Sequence, residues 1–180
     1  MVLIDEKLNE IIFKNDEVNE IIDELAAKII KFKFNFSNLI IVGIKEGGVT
    51  LSHLIHKKVK DSAGFDCLSG YVDITLHRDD SFAVKKTVKS TEMPFNINNK
   101  DILLVDDVIY SGRTIRAAID DLICFGRPKS VKLSVLIDRG GRELPICPDF
   151  TGKKIKIPNK YDVKVELAGK NKFIEKILEI

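Results

Sequence analysis

Two adjacent carboxylates, Asp106 and Asp107, follow the apolar run 102–105, and a Ser-Gly turn begins at Ser111. Neighbouring acids can accept hydrogen bonds from vicinal sugar hydroxyls. A small-residue turn that opens a helix presents backbone N–H groups to an anion. Either feature alone also suits an ordinary strand end or helix entry, but together they predict a phosphate site joined to a ribose site. The predicted phosphate-binding residues are Tyr110, Ser111, Gly112, Arg113 and Thr114.

A second strand-turn-helix unit precedes this one. Residues 39–44 are apolar, a glycine-containing turn follows, and residues 49–60 suit a helix. Paired glycines allow a backbone to approach a ligand closely, although on their own they are a weak signal. The turn consists of Lys45, Glu46, Gly47 and Gly48.

The surrounding pattern predicts an α/β fold with a parallel sheet. Apolar residues recur at helical spacing over 18–30, with Asn15 or Asp16 as the expected N-cap. A buried strand at 102–105, a helix from 115 to 123 and a strand at 131–137 follow in order. Strands that alternate with helices favour right-handed parallel connections.

The remaining segments carry weaker patterns. Residues 68–75 suit a strand, and the polar stretch 77–93 suits either a solvated excursion or a lid over a polyanionic substrate. Phe32, Phe34 and Phe36 are expected to be core residues that lead into the next strand. Towards the C-terminus we expect a solvated lysine-rich face after residue 152, a strand at 163–167 and a final helix from residue 172.

Composition restricts the class of protein. The chain has 29 Lys and Arg against 27 Asp and Glu, so its net charge of +2 gives no strong argument for nucleic acid. Cys67, Cys124 and Cys147 are widely spaced, which favours free thiols in a reducing compartment over a metal site. No apolar run is long enough to cross a membrane. We therefore expect one cytoplasmic domain over residues 1–180.

The thirteen residues 102–114 resemble the phosphoribosyl pyrophosphate (PRPP) motif of type I phosphoribosyltransferases. With the segments 73–80, 126–128 and 138–146, the chain resembles the PyrR family over about residues 38–167. These proteins attenuate pyrimidine operons and also act as uracil phosphoribosyltransferases. The resemblance implies a central, mainly parallel sheet flanked by helices, a small hood and a flexible β-loop.

The implied reaction converts uracil and PRPP into UMP and pyrophosphate, with Mg²⁺ bound mainly through PRPP. Asp106 and Asp107 would be the catalytic pair that holds the ribose hydroxyls. Pyrophosphate would be bound by Lys45, Glu46, Gly47, Gly48 and Arg78. The uracil edge would be bound by Val135, Ile137, Asp138 and Arg139. Tyr110 stands where 6-oxopurine phosphoribosyltransferases place an Asp, which disfavours a purine base.

The chain also departs from the family pattern. The family usually has Lys-Thr-Arg-Gly in the pyrophosphate loop, so Glu46 adds an acid there and Gly47 replaces a cation. Gly141 and Cys147 occupy positions that the family often fills with His and Arg, and an approximate alignment puts Glu20 and Asp23 where cations are expected. Arg142 and Lys153 remain as possible RNA contacts. Two hypotheses stay open: an enzyme, or a nucleotide-sensing RNA-binding regulator with little turnover. Relatives of this kind form dimers or higher homo-oligomers.

Overall fold

A computed structural model of the chain describes residues 2–3, 10–32, 34–45, 47–74, 91, 93–169 and 171–178. Its helices are α1 (Asn15–Lys31), α2 (Gly47–Ala63) and α3 (Arg113–Cys124), with a short 3₁₀ turn at Phe36–Asn38. Its strands are β1 (Val2–Leu3), β2 (Glu10–Lys14), β3 (Leu39–Ile44), β4 (Leu68–Val72), β5 (Asp101–Ile109), β6 (Ser130–Asp138), β7 (Phe150–Lys156), β8 (Tyr161–Glu166) and β9 (Phe173–Leu178). No helix in these ranges is long and apolar enough to cross a membrane.

The larger sheet has six strands in the order β1-β7-β6-β5-β3-β4, and every neighbouring pair is parallel. The chain moves outwards from β3 to the edge strand β4 and then returns to the other side of β3 with β5. The strand order therefore reverses between β3 and β5. Such a switch point opens a crevice at the carboxyl ends of the strands, where open α/β sheets bind ligands.

Helices cover both faces of this sheet. One core cluster joins α1 and α2 to Ile41, Leu103 and Val105. A second cluster joins α3 to the alternate strand residues, which include Ile102 and Leu104. The central strands are apolar without interruption because their residues face two buried layers in turn.

The second sheet is small and antiparallel, with the order β2-β9-β8. It combines strands from the two ends of the described chain, and we call it the hood. Its strand β8 packs against β5. The prediction of a final helix from residue 172 was wrong, because that segment is β9, which pairs with β2 and β8. Residues 173–178 alternate too little for a clear strand signal, and one of their two partners, β2, lies about 160 residues away in sequence.

Other local expectations also change. The central strand continues past residue 105 to Ile109 because β6 pairs with it as far as Asp138. The N-cap of α1 is Lys14, whose N–H donates to Glu17 Oε2 at 3.1 Å, so neither Asn15 nor Asp16 is the cap. Phe32 is 41% exposed, and Phe36 begins the 3₁₀ turn instead of a strand.

The lysine-rich face after residue 152 belongs to β7, where buried Ile155 alternates with exposed lysines. The strand expected at 163–167 begins two residues earlier, as β8. The expected lid or excursion at 77–93 lies largely outside the described residues.

Candidate active site

The paired acids lie where β3 and β5 separate. Backbone pairing between these strands ends at Gly43 and Val105, whereas β5 continues to pair with β6 through Ile109. Asp106 and Asp107 therefore follow the last residue that β3 covers. Asp106 is 5% exposed, and its Oδ1 accepts the Asp107 N–H at 3.1 Å.

The glycine turn after β3 lies directly against Asp107. A Cβ added to Gly47 would come within 1.9 Å of Asp107 Oδ2, so only glycine leaves the carboxylate in its present position. Gly48 is buried against β5, where an added Cβ would lie 2.3 Å from the Val105 carbonyl oxygen. The fold thus joins two segments that are about sixty residues apart in sequence.

Burial raises the pKa of Asp107 above its ordinary value of 3.8. The Val108 N–H, which donates to Asp107 Oδ1 at 2.8 Å, opposes this rise, and the negative charge of Asp162 adds to it. A half-buried carboxylate with a raised pKa lacks sufficient stabilisation of its charge. Incoming hydroxyl donors or a cation would supply that stabilisation.

Lys45 provides a cation at the same end of the sheet. Its Nζ forms an ion pair with Asp73 Oδ2 at 3.0 Å and lies 5.5 Å from the centre of the Tyr71 ring. Asp73 is in turn anchored, because its N–H donates to Thr91 Oγ1 at 3.1 Å. Glu46 and Arg78, the other predicted pyrophosphate contacts, lie outside the described residues.

The turn at 110–114 opens α3 as predicted. Gly112 is the N-cap, with a φ of +92° in the left-handed region, which favours glycine. Ser111 Oγ accepts the Arg113 N–H at 3.3 Å, and Thr114 is half-buried in the first turn of the helix. The helix dipole and the N–H groups of this first turn favour an anion here.

The segment after β6 shapes this turn. The N–H groups of Glu143 and Leu144 both donate to the Ser111 carbonyl at 3.0 Å. Arg142 Nη1 donates to the Tyr110 carbonyl at 2.8 Å. Arg113 and Glu143 form an exposed ion pair at 2.7 Å. The segment that follows β6 therefore holds the turn 110–114, which follows the neighbouring strand β5.

The predicted base-binding residues divide into two groups. Asp138 and Arg139 lie at the end of β6, beside the turn, and are 8% and 6% exposed. Val135 and Ile137 are fully buried and belong to the two core clusters. Their side chains therefore pack the sheet, and only Asp138 and Arg139 place polar side chains at the strand end.

The two possible RNA contacts differ in availability. Arg142 donates to the carbonyls of Tyr110, Gly140 and Ile146 and forms an ion pair with Asp138 at 2.8 Å. These internal contacts leave its guanidinium with little to offer a phosphate. Lys153 is exposed on β7.

Sequence reasoning did not assign three residues to this site. Asp73 holds Lys45, Asp162 pairs with Arg139 at 2.8 Å, and Gly141 receives the Tyr110 ring. Asp73 stood at the start of the 73–80 motif and was therefore within reach of a motif-based search. Asp162 lies on β8, and no local pattern connects it to a strand end that is more than twenty residues away.

The fold and this site define the class of protein: residues 9–167 match the family model described as "Phosphoribosyl transferase domain". The chain belongs to this family, and within it to the PyrR family. A relative from Microcystis aeruginosa named "Bifunctional protein PyrR" is 44% identical over 89% of this chain and 93% of its own length. A protein of the same name from Clostridioides difficile is 44% identical over 81% of this chain and 84% of its own length.

Solved structures confirm the type I phosphoribosyltransferase fold. A hypoxanthine phosphoribosyltransferase from Staphylococcus aureus superposes with a TM-score of 0.65 at 22% identity, covering 82% of this chain and 77% of the other. A hypoxanthine-guanine phosphoribosyltransferase from Bacillus anthracis gives a TM-score of 0.64 at 20% identity, with 83% and 84% covered. At this identity the likeness concerns the fold alone.

Proposed function

We propose that the chain transfers the phosphoribosyl group of PRPP to uracil, forming UMP and pyrophosphate. The observation that carries this proposal is the contact between Gly47 and Asp107 at the switch point of the sheet. It brings a glycine turn suited to pyrophosphate, a carboxylate pair suited to ribose and a helix N-terminus suited to phosphate to one edge. Membership of the PyrR family supports the same reaction.

In this proposal Asp106 and Asp107 act through the position of their negative charges beside the ribose. Positive charge grows on the ribose ring as its C1 bond to pyrophosphate loosens. Asp106 and Asp107 stabilise that charge more in the transition state than in the ground state, which is the condition for faster chemistry. Ribose hydroxyls that donate to Asp107 would also lower its raised pKa and favour its ionised form. No side chain needs to act as a covalent nucleophile.

The two phosphate ends of PRPP have separate sites in this proposal. The turn formed by residues 110–114 holds the 5-phosphate, because it combines the N-terminus of α3 with two hydroxyl groups. Lys45 and the backbone of Gly47 and Gly48 hold the leaving pyrophosphate. Glu46 and Arg78 remain predicted members of this second set.

Mg²⁺ would arrive with PRPP. Within the described ranges no cluster of three or more His, Cys, Asp or Glu side chains could hold a metal ion. The site does offer one or two carboxylates beside the proposed phosphate positions, and Mg²⁺ typically binds through one or two carboxylates together with substrate phosphates. Asp106 and Asp107 are the residues that would face it, and the ion would neutralise charge on the departing pyrophosphate.

Asp138 and Arg139 would recognise the base. Tyr110, which stands where 6-oxopurine enzymes have an Asp, packs with its ring against Arg139 and Gly141. An aromatic ring held in this way does not offer a carboxylate to a purine N7. This observation favours a pyrimidine.

The deciding experiment incubates the protein with PRPP, Mg²⁺ and labelled uracil, hypoxanthine or guanine in parallel. We expect UMP from uracil and no nucleotide from either purine. Formation of IMP or GMP without UMP would replace this proposal with a purine reaction. Failure to form any nucleotide at high enzyme concentration would remove the catalytic function.

A second function, regulation by binding RNA, is favoured by the row of exposed lysines on β7 and by the name "Bifunctional protein PyrR" of the relatives. Phosphate contacts make such binding depend steeply on salt. A filter-binding titration with pyrimidine-leader RNA at several salt concentrations, with and without UMP, tests it. Binding that is weak and independent of salt would exclude it, whereas Lys153→Ala should lower the salt slope by about one unit.

The three free cysteines favour a location of the protein in the cytoplasm. Cys67 is buried, Cys124 and Cys147 are exposed, and none of the three forms a disulfide. Unpaired exposed thiols are typical of reducing compartments.

A further inference from the structure

A single arginine connects the hood to the proposed active site. Arg139 follows directly after β6, and its side chain is only 4% exposed. Its guanidinium pairs with Asp162 on β8 at 2.8 Å and donates to the carbonyl of Tyr161. Its Nε is buried and has no hydrogen-bond partner among the described residues.

The same guanidinium covers one side of Tyr110. Its Cζ lies 4.4 Å from the centre of the ring, within the range of a cation–π contact. The ring also contacts the backbone of Gly141, where an added Cβ would lie 2.0 Å from Tyr110 Cε2. Gly141 has a φ of +70°, so both its conformation and its lack of a side chain are needed for this packing.

We propose that Asp162 and Arg139 form a latch that joins β8 of the hood to the Tyr110 turn, and that Asp162 is a positioning residue for the base site. The proposal rests on the proposed function, because it concerns the site that would hold uracil. At the base site Asp162 acts through Arg139 and does not itself touch the substrate.

Burial of the positively charged Arg139 guanidinium explains why its position depends on Asp162. A buried guanidinium is stable only when its charge is paired and hydrogen-bonded. Asp162 provides the ion pair, and its Oδ1 is itself fixed by the Val163 N–H at 2.7 Å. Without this carboxylate, the guanidinium would gain stability by moving towards water and would leave the Tyr110 ring.

The experiment compares Asp162→Ala with Glu175→Gln. Glu175 also forms an ion pair in the hood, with Lys164 at 3.6 Å, but this pair has no described contact with the Tyr110 turn. The variants are examined by NMR of ¹³C-labelled tyrosine. The chain has only three tyrosines, so Tyr110→Phe assigns the Tyr110 signal. We expect the Tyr110 ring signals to shift in Asp162→Ala and to stay unchanged in Glu175→Gln.

Kinetic measurements on the same variants test the positioning role. We expect Asp162→Ala to raise the KM for uracil about tenfold, equivalent to about 1.4 kcal/mol, while kcat and the KM for PRPP change less than threefold. Gly141→Ala displaces the same ring from its other side and should show the same pattern. It provides the test if Asp162→Ala does not fold.

The two measurements separate failure of the latch from failure of the proposed function. Unchanged Tyr110 signals in Asp162→Ala would overturn the latch, whether or not the protein is an enzyme. Shifted signals with an unchanged KM for uracil would overturn the positioning role. If the unaltered protein forms no UMP, the proposed function fails and the NMR result alone decides whether the latch exists.

Discussion

Replacing Gly47 with alanine tests the contact on which the proposed function depends. The new Cβ would lie 1.9 Å from Asp107 Oδ2, whereas ordinary contacts of a Cβ begin at 3.4 Å. The difference of 1.5 Å must be absorbed by the carboxylate or by the glycine turn. Misplacement of a reacting group by about 1 Å can cost about 100-fold in rate. We therefore expect kcat/KM for PRPP to fall about 100-fold, equivalent to about 2.7 kcal/mol of transition-state stabilisation.

The assay is steady-state formation of UMP with PRPP varied at saturating uracil, accompanied by thermal unfolding. Gly64→Ala is the matched control. It also adds a methyl group next to α2, but no atom lies within 4 Å of that position, and its φ of +73° makes alanine unfavourable. It should lose about 1–2 kcal/mol of stability and keep its activity. If Gly47→Ala folds and retains the unaltered kcat/KM, the placement of Asp107 against this turn does not support catalysis.

Three further predictions concern Asp107, Lys45 and the apolar core. Asp107→Asn should lower kcat more than it raises the KM for PRPP, because it removes charge that acts in the transition state. The raised pKa means that the folded state holds the Asp107 proton more tightly than the unfolded chain does, so ionisation costs stability as the pH rises from 3.8 through the raised value. Asp107→Asn should therefore melt at a higher temperature than the unaltered protein near neutral pH, and this difference should disappear towards pH 4. Thermal melts of both proteins across this pH range measure it. Lys45→Ala should raise the KM for PRPP about 10- to 100-fold, since it removes a charged hydrogen bond to the pyrophosphate. It should also lower the free energy of unfolding by about 1–3 kcal/mol, because the buried Asp73 carboxylate loses its ion-pair partner. An unchanged KM would exclude Lys45 from the pyrophosphate site. Leu104→Ala in the fully buried core should cost about 2–5 kcal/mol in urea unfolding, whereas Ile123→Ala, at a residue that is 59% exposed, should cost little; equal losses would contradict the assignment of the core.

The main sheet could be predicted from sequence because its signals are local. The strand expected at 39–44 has the observed bounds of β3, and the helix expected over 18–30 lies within α1. An apolar run that is buried on both faces and an amphipathic helix each carry their burial pattern in neighbouring residues. The resemblance to type I phosphoribosyltransferases and to the PyrR family was also confirmed.

The hood could not be predicted in the same way. Strand β2 pairs with β9 across about 160 residues of sequence, whereas β8 and β9 are neighbours in the chain, and each of the three strands is short and only partly buried. The apolar residues in 173–178 therefore suggested a helix. Strand pairing replaced that helix because β9 has a partner on each side. Local propensity is a weak guide where pairing with other strands, one of them distant, decides the structure.

By itself, the sequence determined which groups are available for chemistry: two adjacent acids, a Ser-Gly turn at a helix entry and a glycine turn after a buried strand. Only the tertiary structure decided where they meet. The reversal of strand order between β3 and β5 brings Gly47 against Asp107, and the hood brings Asp162 to Arg139. The physical reason is that residue types and spacing act over a few residues, whereas contacts between strand ends depend on how the whole sheet is ordered and packed.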